Sequence, residues 1–120
     1  MRMGKKITGG RYKKFRKKKL YETKRPQRFV LLGQEKKKRI KTRNGKVKVV
    51  LLKSNKANVI DPKTHKAKVV TIKNVLEVPS NRFLARKNVI VKGAIIDTEL
   101  GKARVTSRPG QEGQINAVLI

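Results

Sequence analysis

Positively charged side chains are the most abundant chemically active groups in this sequence. Its 120 residues include 34 Lys and Arg but only 7 Asp and Glu, which gives a formal net charge of +27. Charge of one sign at this density repels itself unless a polyanion neutralises it, and nucleic acid does so while releasing its condensed counterions. The 23 Lys outnumber the 11 Arg, and this ratio favours contact with phosphates over the reading of base edges.

Glycines and aromatic rings accompany the charge near the N-terminus. Gly9 and Gly10 lack a Cβ, so the backbone there could run close to a phosphate, although a flexible spacer is an equally good interpretation. Tyr12, Phe15 and Tyr21 are interleaved with basic residues. These rings either stack on unpaired bases or pack on protein, and the sequence leaves both open.

The charge is unevenly distributed along the chain. Residues 1–34 carry 13 basic residues and one acidic residue, and residues 35–92 carry 18 and three. Basic and acidic residues balance within residues 93–120, which we therefore expect to be mainly scaffold. The run of eight basic residues within 35–48 favours phosphate binding over a merely solvated face, whereas the basic residues at 82–87 suit either role.

Residues suited to catalysis or metal binding are few. The chain has no Cys, which excludes thiol nucleophiles, thiolate zinc sites and disulfides. We interpret His65, the only histidine, as an exposed turn residue. Asp97 and Glu99 alternate on a predicted strand and either bind hydrated magnesium or form ion pairs across the hairpin. Because no nucleophile–base pair emerges, we expect no enzymatic activity, no cofactor and no small-molecule substrate.

Short apolar runs separated by turn signals begin near residue 35 and predict an all-β domain over residues 35–120. With no long helix, they favour a small barrel or sandwich of about six short strands. Val47, Val49 and Leu51 share one face of the second predicted strand. The strands are predicted at residues 36–42, 46–53, 57–60, 66–78, 89–98, 103–106 and 115–120.

Turn residues separate these strands. Asn44-Gly45 predicts a two-residue hairpin turn, and Pro109-Gly110 fits the central positions of a type II turn. Ser80 is predicted to cap a single helical turn at residues 82–86. Gly93 indicates a bulge or bend within residues 89–98.

Residues 1–34 contain few apolar residues and no sustained hydrophobic period, so a packed core is not expected there. We predict an extended basic arm that becomes ordered on RNA. No apolar run approaches the roughly 18 residues that a membrane span requires, and we expect a soluble, cytoplasmic protein.

Three other classes of cationic protein fit less well. DNA-packing proteins commonly present a long helix or a symmetric dimer, and membrane-surface proteins present a broad amphipathic helix. Enzymes that act on nucleic acid need acid–base or metal groups. The sequence shows none of these features, so composition alone predicts a polyanion-binding chain with one small β domain and a basic arm.

Several motifs resemble one known family, and together they span essentially the whole chain. The sequence is similar to the small-subunit ribosomal protein family S-eight-e in its short archaeal form, most specifically over residues 104–111. Many members carry two glycines at the first hairpin, where this chain has Asn44-Gly45. The motifs are TGGR at 8–11, KLYE at 19–22, TRNGK at 42–46, NVI at 88–90, KGAII at 92–96 and GKARVTSRPGQ at 101–111.

The resemblance implies a β-barrel-like domain and a basic extension threaded into ribosomal RNA, with RNA contacts at residues 8–11, 13–19 and 43–46. The expected partners are small-subunit ribosomal RNA and neighbouring ribosomal proteins. Charge and resemblance together give the predicted RNA-binding residues, which are Lys5, Lys6, Gly9, Gly10, Arg11, Lys13, Lys14, Arg16, Lys17, Lys18, Lys19, Lys24, Arg25, Arg28, Lys36, Lys37, Lys38, Arg39, Lys41, Arg43, Lys46, Arg86 and Lys87.

If residues 1–34 form only an arm, a chain that lacks them should remain folded and bind RNA less tightly. Circular dichroism would measure the first effect and an RNA titration the second. Loss of the fold would show that part of residues 1–34 belongs to the core.

Overall fold

The protein is an all-β chain of nine short strands, as seen in a computed structural model that describes residues 4–13 and 15–120. The all-β class is confirmed, although the strands outnumber the six or so predicted. Lys14, a predicted RNA-binding residue, lies outside the described residues. The strands are β1 (Val30–Leu32), β2 (Lys36–Lys41), β3 (Val47–Ser54), β4 (Lys56–Ile60), β5 (Ala67–Glu77), β6 (Val89–Ile90), β7 (Ile95–Thr98), β8 (Gly101–Val105) and β9 (Asn116–Leu119).

Strands β4, β5, β7, β8 and β9 close into a barrel. Neighbours are antiparallel except at the seam, where β4 and β9 run parallel. Alternate residues point inward, as a strand with one buried face requires. Ala57, Val59, Ala103 and Val105 are each at most 2% exposed, so small and β-branched side chains fill the interior.

A second sheet has the strand order β2-β3-β1-β6. Only Asn55 separates β3 from β4, and its carbonyl oxygen accepts the N–H of Ile72 at 2.7 Å. On the other side, a bend at Gly93 (φ +84°) joins β6 to β7. Buried residues of the sheet, including Val30 and Ile90, belong to the same apolar cluster as the barrel residues. Sheet and barrel therefore share one core.

Strand β1 lies within residues 1–34, where a packed core was not expected. It sits between β3 and β6, parallel to β3 and antiparallel to β6. Val30 is 1% exposed and packs in the core. Because β1 is only three residues long, its apolar run is too short to show a period in sequence. Among the described residues, Val30 is the first that belongs to the apolar core.

Turn positions were predicted better than turn geometry. The β2–β3 hairpin has a three-residue loop of Arg43, Asn44 and Gly45, because Thr42 N–H pairs with the Lys46 carbonyl at 2.8 Å. Gly45 alone has positive φ (+78°), as expected of a type I turn followed by a left-handed residue. The prediction of a two-residue turn was wrong.

The Pro109-Gly110 turn and the face of β3 also differ from expectation. The N–H of Gln111 donates to the carbonyl of Arg108 at 2.9 Å, which places Pro109 and Gly110 at the centre of a turn as predicted. Gly110 does not have positive φ, so the turn is not type II. Of the three β3 residues that were predicted to share a face, Val47 and Val49 are exposed and Leu51 is buried, and its neighbour Val50 is buried as well.

The single described α-helix is α1 (Arg82–Arg86), at the predicted position. Its cap is Asn81 rather than Ser80, because the Asn81 side chain accepts the N–H of Phe83 at 3.0 Å. In the part of the chain that the structure describes, no helix has both the length and the hydrophobicity to cross a membrane.

Removal of residues 1–34 also removes β1, so the structure predicts a destabilised product. Full burial of a Val side chain is worth about 1.5–3 kcal/mol, and the loss of Val30 alone should lower Tm by at least roughly 6 °C. A chain that lacks only residues 1–24 keeps β1 and is the matched control. Its Tm should change by less than about 4 °C in thermal melts followed by circular dichroism. Equal melting of the two shortened chains would contradict this account of β1.

Candidate nucleic-acid interface

The arm begins with a small hairpin that presents cations. Lys5 and Arg11 pair in an antiparallel bridge, and Lys6 N–H donates to the Gly10 carbonyl at 2.8 Å. Gly9 has φ +80°, a conformation that favours glycine. A Cβ added at Gly9 would meet nothing within 4 Å. The turn geometry therefore explains Gly9, and a close approach to phosphate stays a prediction.

One predicted RNA-binding cation already has an acidic partner. Arg16 donates to both carboxylate oxygens of Glu22, at 2.5 and 2.6 Å. The N–H of Lys19 donates to Glu22 at 3.1 Å across the 3-10 turn Leu20–Glu22. These bonds favour the ionised carboxylate. The hydrogen bond from Arg16, and then that from Lys19, lower the pKa of Glu22, and the same carboxylate raises the pKa of Arg16.

The three aromatic rings of the arm have different surroundings. The Tyr21 ring centroid lies 6.0 Å from Lys19 Nζ and 5.9 Å from the Arg43 guanidinium carbon, distances typical of cation–π contacts. Tyr12 has Lys6 Nζ at 5.7 Å. Phe15 is 98% exposed. The contact between Tyr21 and Arg43 shows that the arm folds back on the β2–β3 hairpin. Base stacking stays a prediction for all three rings.

The base of the arm is held by the loop at residues 108–112. Arg28 Nε donates to the Gly110 carbonyl at 3.4 Å, and a Cβ at Gly110 would lie only 3.1 Å from the Arg28 carbonyl oxygen. The carbonyls of Pro109 and Glu112 both accept the N–H of Leu51 at 3.2 Å. This loop therefore ties the arm to β3.

A cleft of about 600 Å³ opens where the arm, β3, the β6–β7 bend and this loop meet. None of the residues that line it is acidic. A second cleft of about 450 Å³ shares Arg25, Pro26, Arg28 and Ile40 with it and continues along β2 past Lys38, Arg39 and Lys41. We call both clefts together the basic groove. The cations of the first cleft are Arg25, Arg28, Lys48, Lys92 and Arg108.

The cations that line the groove include some of the predicted RNA-binding residues and three that were not predicted. Lys48, Lys92 and Arg108 were absent from the predicted set, and Arg108 lies in the region expected to be mainly scaffold. Two signals were available in the sequence: Lys48 ends the basic run at 35–48, and Arg108 falls within residues 104–111, the most specific part of the resemblance. Their convergence depends on long-range contacts that charge counts do not report. The predicted residues that line the groove are Arg25, Arg28, Lys38, Arg39 and Lys41.

The other predicted residues lie elsewhere on the surface. Lys37 forms an ion pair with Glu35 at 2.7 Å, which lowers the pKa of Glu35. Arg86 and Lys87 lie at the end of α1, are exposed, and do not line the groove. Exposed cations that also lie outside the groove are Lys5, Lys6, Arg11, Lys13, Lys17, Lys18, Lys19, Lys24, Lys36, Arg43 and Lys46.

The residues considered for metal binding or catalysis, His65, Asp97 and Glu99, lie in a turn and on or beside a strand. His65 is exposed in a turn, as predicted. Glu99 accepts a hydrogen bond from the Thr71 hydroxyl. Of the two alternatives for Asp97 and Glu99, ion pairs across the hairpin with Lys102 or Arg104 do not form among the described residues. Within the described residues, no three or more His, Asp or Glu side chains cluster as metal ligands would.

Comparison with known proteins gives a consistent result. The family described as Ribosomal protein S8e matches residues 1–120. The chain is 46% identical to small ribosomal subunit protein eS8 of Nanoarchaeum equitans, over 95% of this chain and 90% of that protein. It is 51% identical to the eS8 protein of Ignicoccus hospitalis, over 97% and 91%, and 44% identical to that of Haloarcula marismortui, over 99% and 95%.

The contact between Arg16 and Glu22 predicts that the pKa of Glu22 depends on Arg16. Arg16→Gln removes the largest cause of the lowered pKa, so the Glu22 pKa should rise toward its ordinary value. Carboxyl carbon NMR during a pH titration would measure it. Because the folded-state pKa is lowered, the stabilisation is present above the ordinary Glu pKa and is lost as pH falls through the lowered value. The control variant Lys17→Gln changes the net charge by the same amount and should leave the pKa of Glu22 unchanged. Equal shifts of that pKa in both variants would contradict the contact between Arg16 and Glu22.

Proposed function

Because the chain belongs to the ribosomal protein S8e family, we propose that it is a structural constituent of the small ribosomal subunit that binds ribosomal RNA mainly through phosphate contacts. The match over residues 1–120 is the observation that carries this proposal. The role is assembly and stabilisation of the subunit without catalysis. Its place is in the ribosome and hence in the cytoplasm, beside ribosomal RNA and neighbouring ribosomal proteins.

The distribution of charge supports the phosphate part of the proposal. Cations occupy the arm hairpin, the following run at residues 16–19, and β2, where five of the six residues are Lys or Arg. Among the described residues, only Arg16 and Lys37 form ion pairs with carboxylates. The remaining described cations can therefore contact phosphates without first breaking an internal ion pair, and phosphates supply the counter-charge that the chain lacks.

The shape of the molecule supports contact with folded RNA. Its radius of gyration is 19.6 Å, whereas a compact chain of this length has about 14 Å. The arm and the β2–β3 hairpin extend from a barrel that is too small to bury them. Such an elongated, cationic surface can reach several RNA segments at once.

Co-sedimentation tests the proposal directly. A tagged chain expressed in an archaeon should migrate with the small subunit in a sucrose gradient and stay with it when the subunits separate. The tag fused to an unrelated small protein is the control. Recovery of the chain only in the ribosome-free fractions would refute the proposal.

Phosphate binding also predicts a steep salt dependence. If about 6–10 phosphates are contacted, affinity for ribosomal RNA should fall by roughly 10³–10⁵ between 50 and 200 mM salt. Filter binding at several salt concentrations would give the slope. Replacing Lys17 and Lys18 by Gln should reduce that slope by about two.

The matched control for this measurement replaces Lys102 and Arg104, two exposed cations of β8 that lie outside the predicted set, by Gln. This variant changes net charge equally and should keep the original slope. Affinity that is independent of salt would contradict the phosphate account.

A further inference from the structure

We propose that the basic groove is a binding site for an unpaired segment of RNA, with phosphates on its cations and a base over its apolar floor. This inference rests on the proposed function, because the ligand is part of the same RNA. It adds a defined site on the folded domain, built partly from residues that lie outside the charge-rich runs.

The walls of the groove are fixed by contacts within the chain. On one side, Arg28 Nε bonds to Gly110, which lies against the Arg28 backbone. On the other, Leu51 of β3 bonds to the carbonyls of Pro109 and Glu112. Lys48 Nζ also bonds to Gln111 Oε1. The cleft is therefore preformed, which lowers the entropy cost of binding.

The rim of the groove is suited to an anionic ligand. Among the described residues, none of its cations forms an ion pair with a carboxylate. The cations of the first cleft come from four separate parts of the chain, which the fold brings together: Arg25 and Arg28 from the arm, Lys48 from β3, Lys92 from the β6–β7 bend and Arg108 from the loop. Converging cations of this kind bind phosphates.

The floor of the groove points to a base rather than to phosphate alone. Ile40 and Val91 are half-buried, and Ile90 and Pro109 are buried beneath the cleft. Phosphate gains nothing from apolar surface, whereas a base has an apolar face that can cover it. The volume of about 600 Å³ is within the range of about 300–1,000 Å³ for small-molecule sites and suits one nucleotide.

A duplex cannot make the same contacts. Its bases are stacked and paired inside the helix, and sequence-reading proteins usually bind RNA where bases are unstacked. A duplex would meet only the rim cations, so the floor would remain uncovered. The groove should therefore prefer single-stranded RNA to duplex RNA.

The test uses the full-length protein and three fluorescent RNAs at matched salt. The first is a single strand of 12 nucleotides, the second is its duplex, and the third is the same strand with abasic residues throughout. Anisotropy titrations give the Kd values. The unmodified protein should bind the single strand at least about tenfold more tightly than the abasic strand, equivalent to 1.4 kcal/mol.

Two variants separate the rim from the floor. Replacing the exposed residues Lys92 and Arg108 by Gln should weaken binding of the single strand at least about tenfold, and the Lys102/Arg104 double Gln variant should stay within about threefold. Val91→Ser should reduce the preference for bases while retaining abasic binding. Thermal melts check that each variant is folded, and the rim variant decides the outcome if Val91→Ser does not fold.

The outcomes are distinguishable. If the unmodified protein binds none of the three RNAs, the proposed function fails. If it binds them but the abasic strand binds equally well, or the rim variant behaves like its control, the groove inference fails and the proposed function stands. Displacement of RNA from the unmodified protein by polyglutamate as effectively as by unlabelled RNA would also overturn the inference, in favour of an acidic protein segment.

Discussion

Mutual repulsion among basic side chains opposes every compact state of this chain, and the apolar core has to outweigh it with little help from acidic residues. The core does so by joining a five-stranded barrel and a four-stranded sheet around one apolar cluster. Cations are kept on the outer faces of strands and on loops, where water screens them. The arm and the β2–β3 hairpin place much of the charge away from the barrel.

The loop at residues 108–112 connects these charged parts. It bonds to β3 through Leu51 and to the arm through Arg28, so three segments that are far apart in sequence meet at one place. Gly110 fits closely there, because an added Cβ would lie 3.1 Å from the Arg28 carbonyl oxygen and the backbone would have to shift slightly to accept it. The contacts of this loop hold the arm and β3 together, and the same contacts shape the cleft that we assign to RNA.

Local signals predicted most of the elements, and long-range contacts account for what was missed. Strand β5 follows from its run of β-branched residues, and the position of α1 follows from the Pro79-Ser80 break that precedes it. Strand β1 was missed because three apolar residues after a polar stretch have no period, and only pairing with β3 and β6 makes them a strand. Likewise, Lys92 and Arg108 join Arg25 through the tertiary fold, so no local pattern could have placed them in one site.

The parallel seam between β4 and β9 has a consequence for how the chain reaches its native state. Asn58 pairs with Asn116, so the barrel cannot close until residues almost 60 positions apart meet, and contacts of such long range slow folding. Until then β4 presents an unpaired edge of the kind that promotes aggregation. Newly made copies repel each other through their shared positive charge, and this repulsion protects the open edge during the delay.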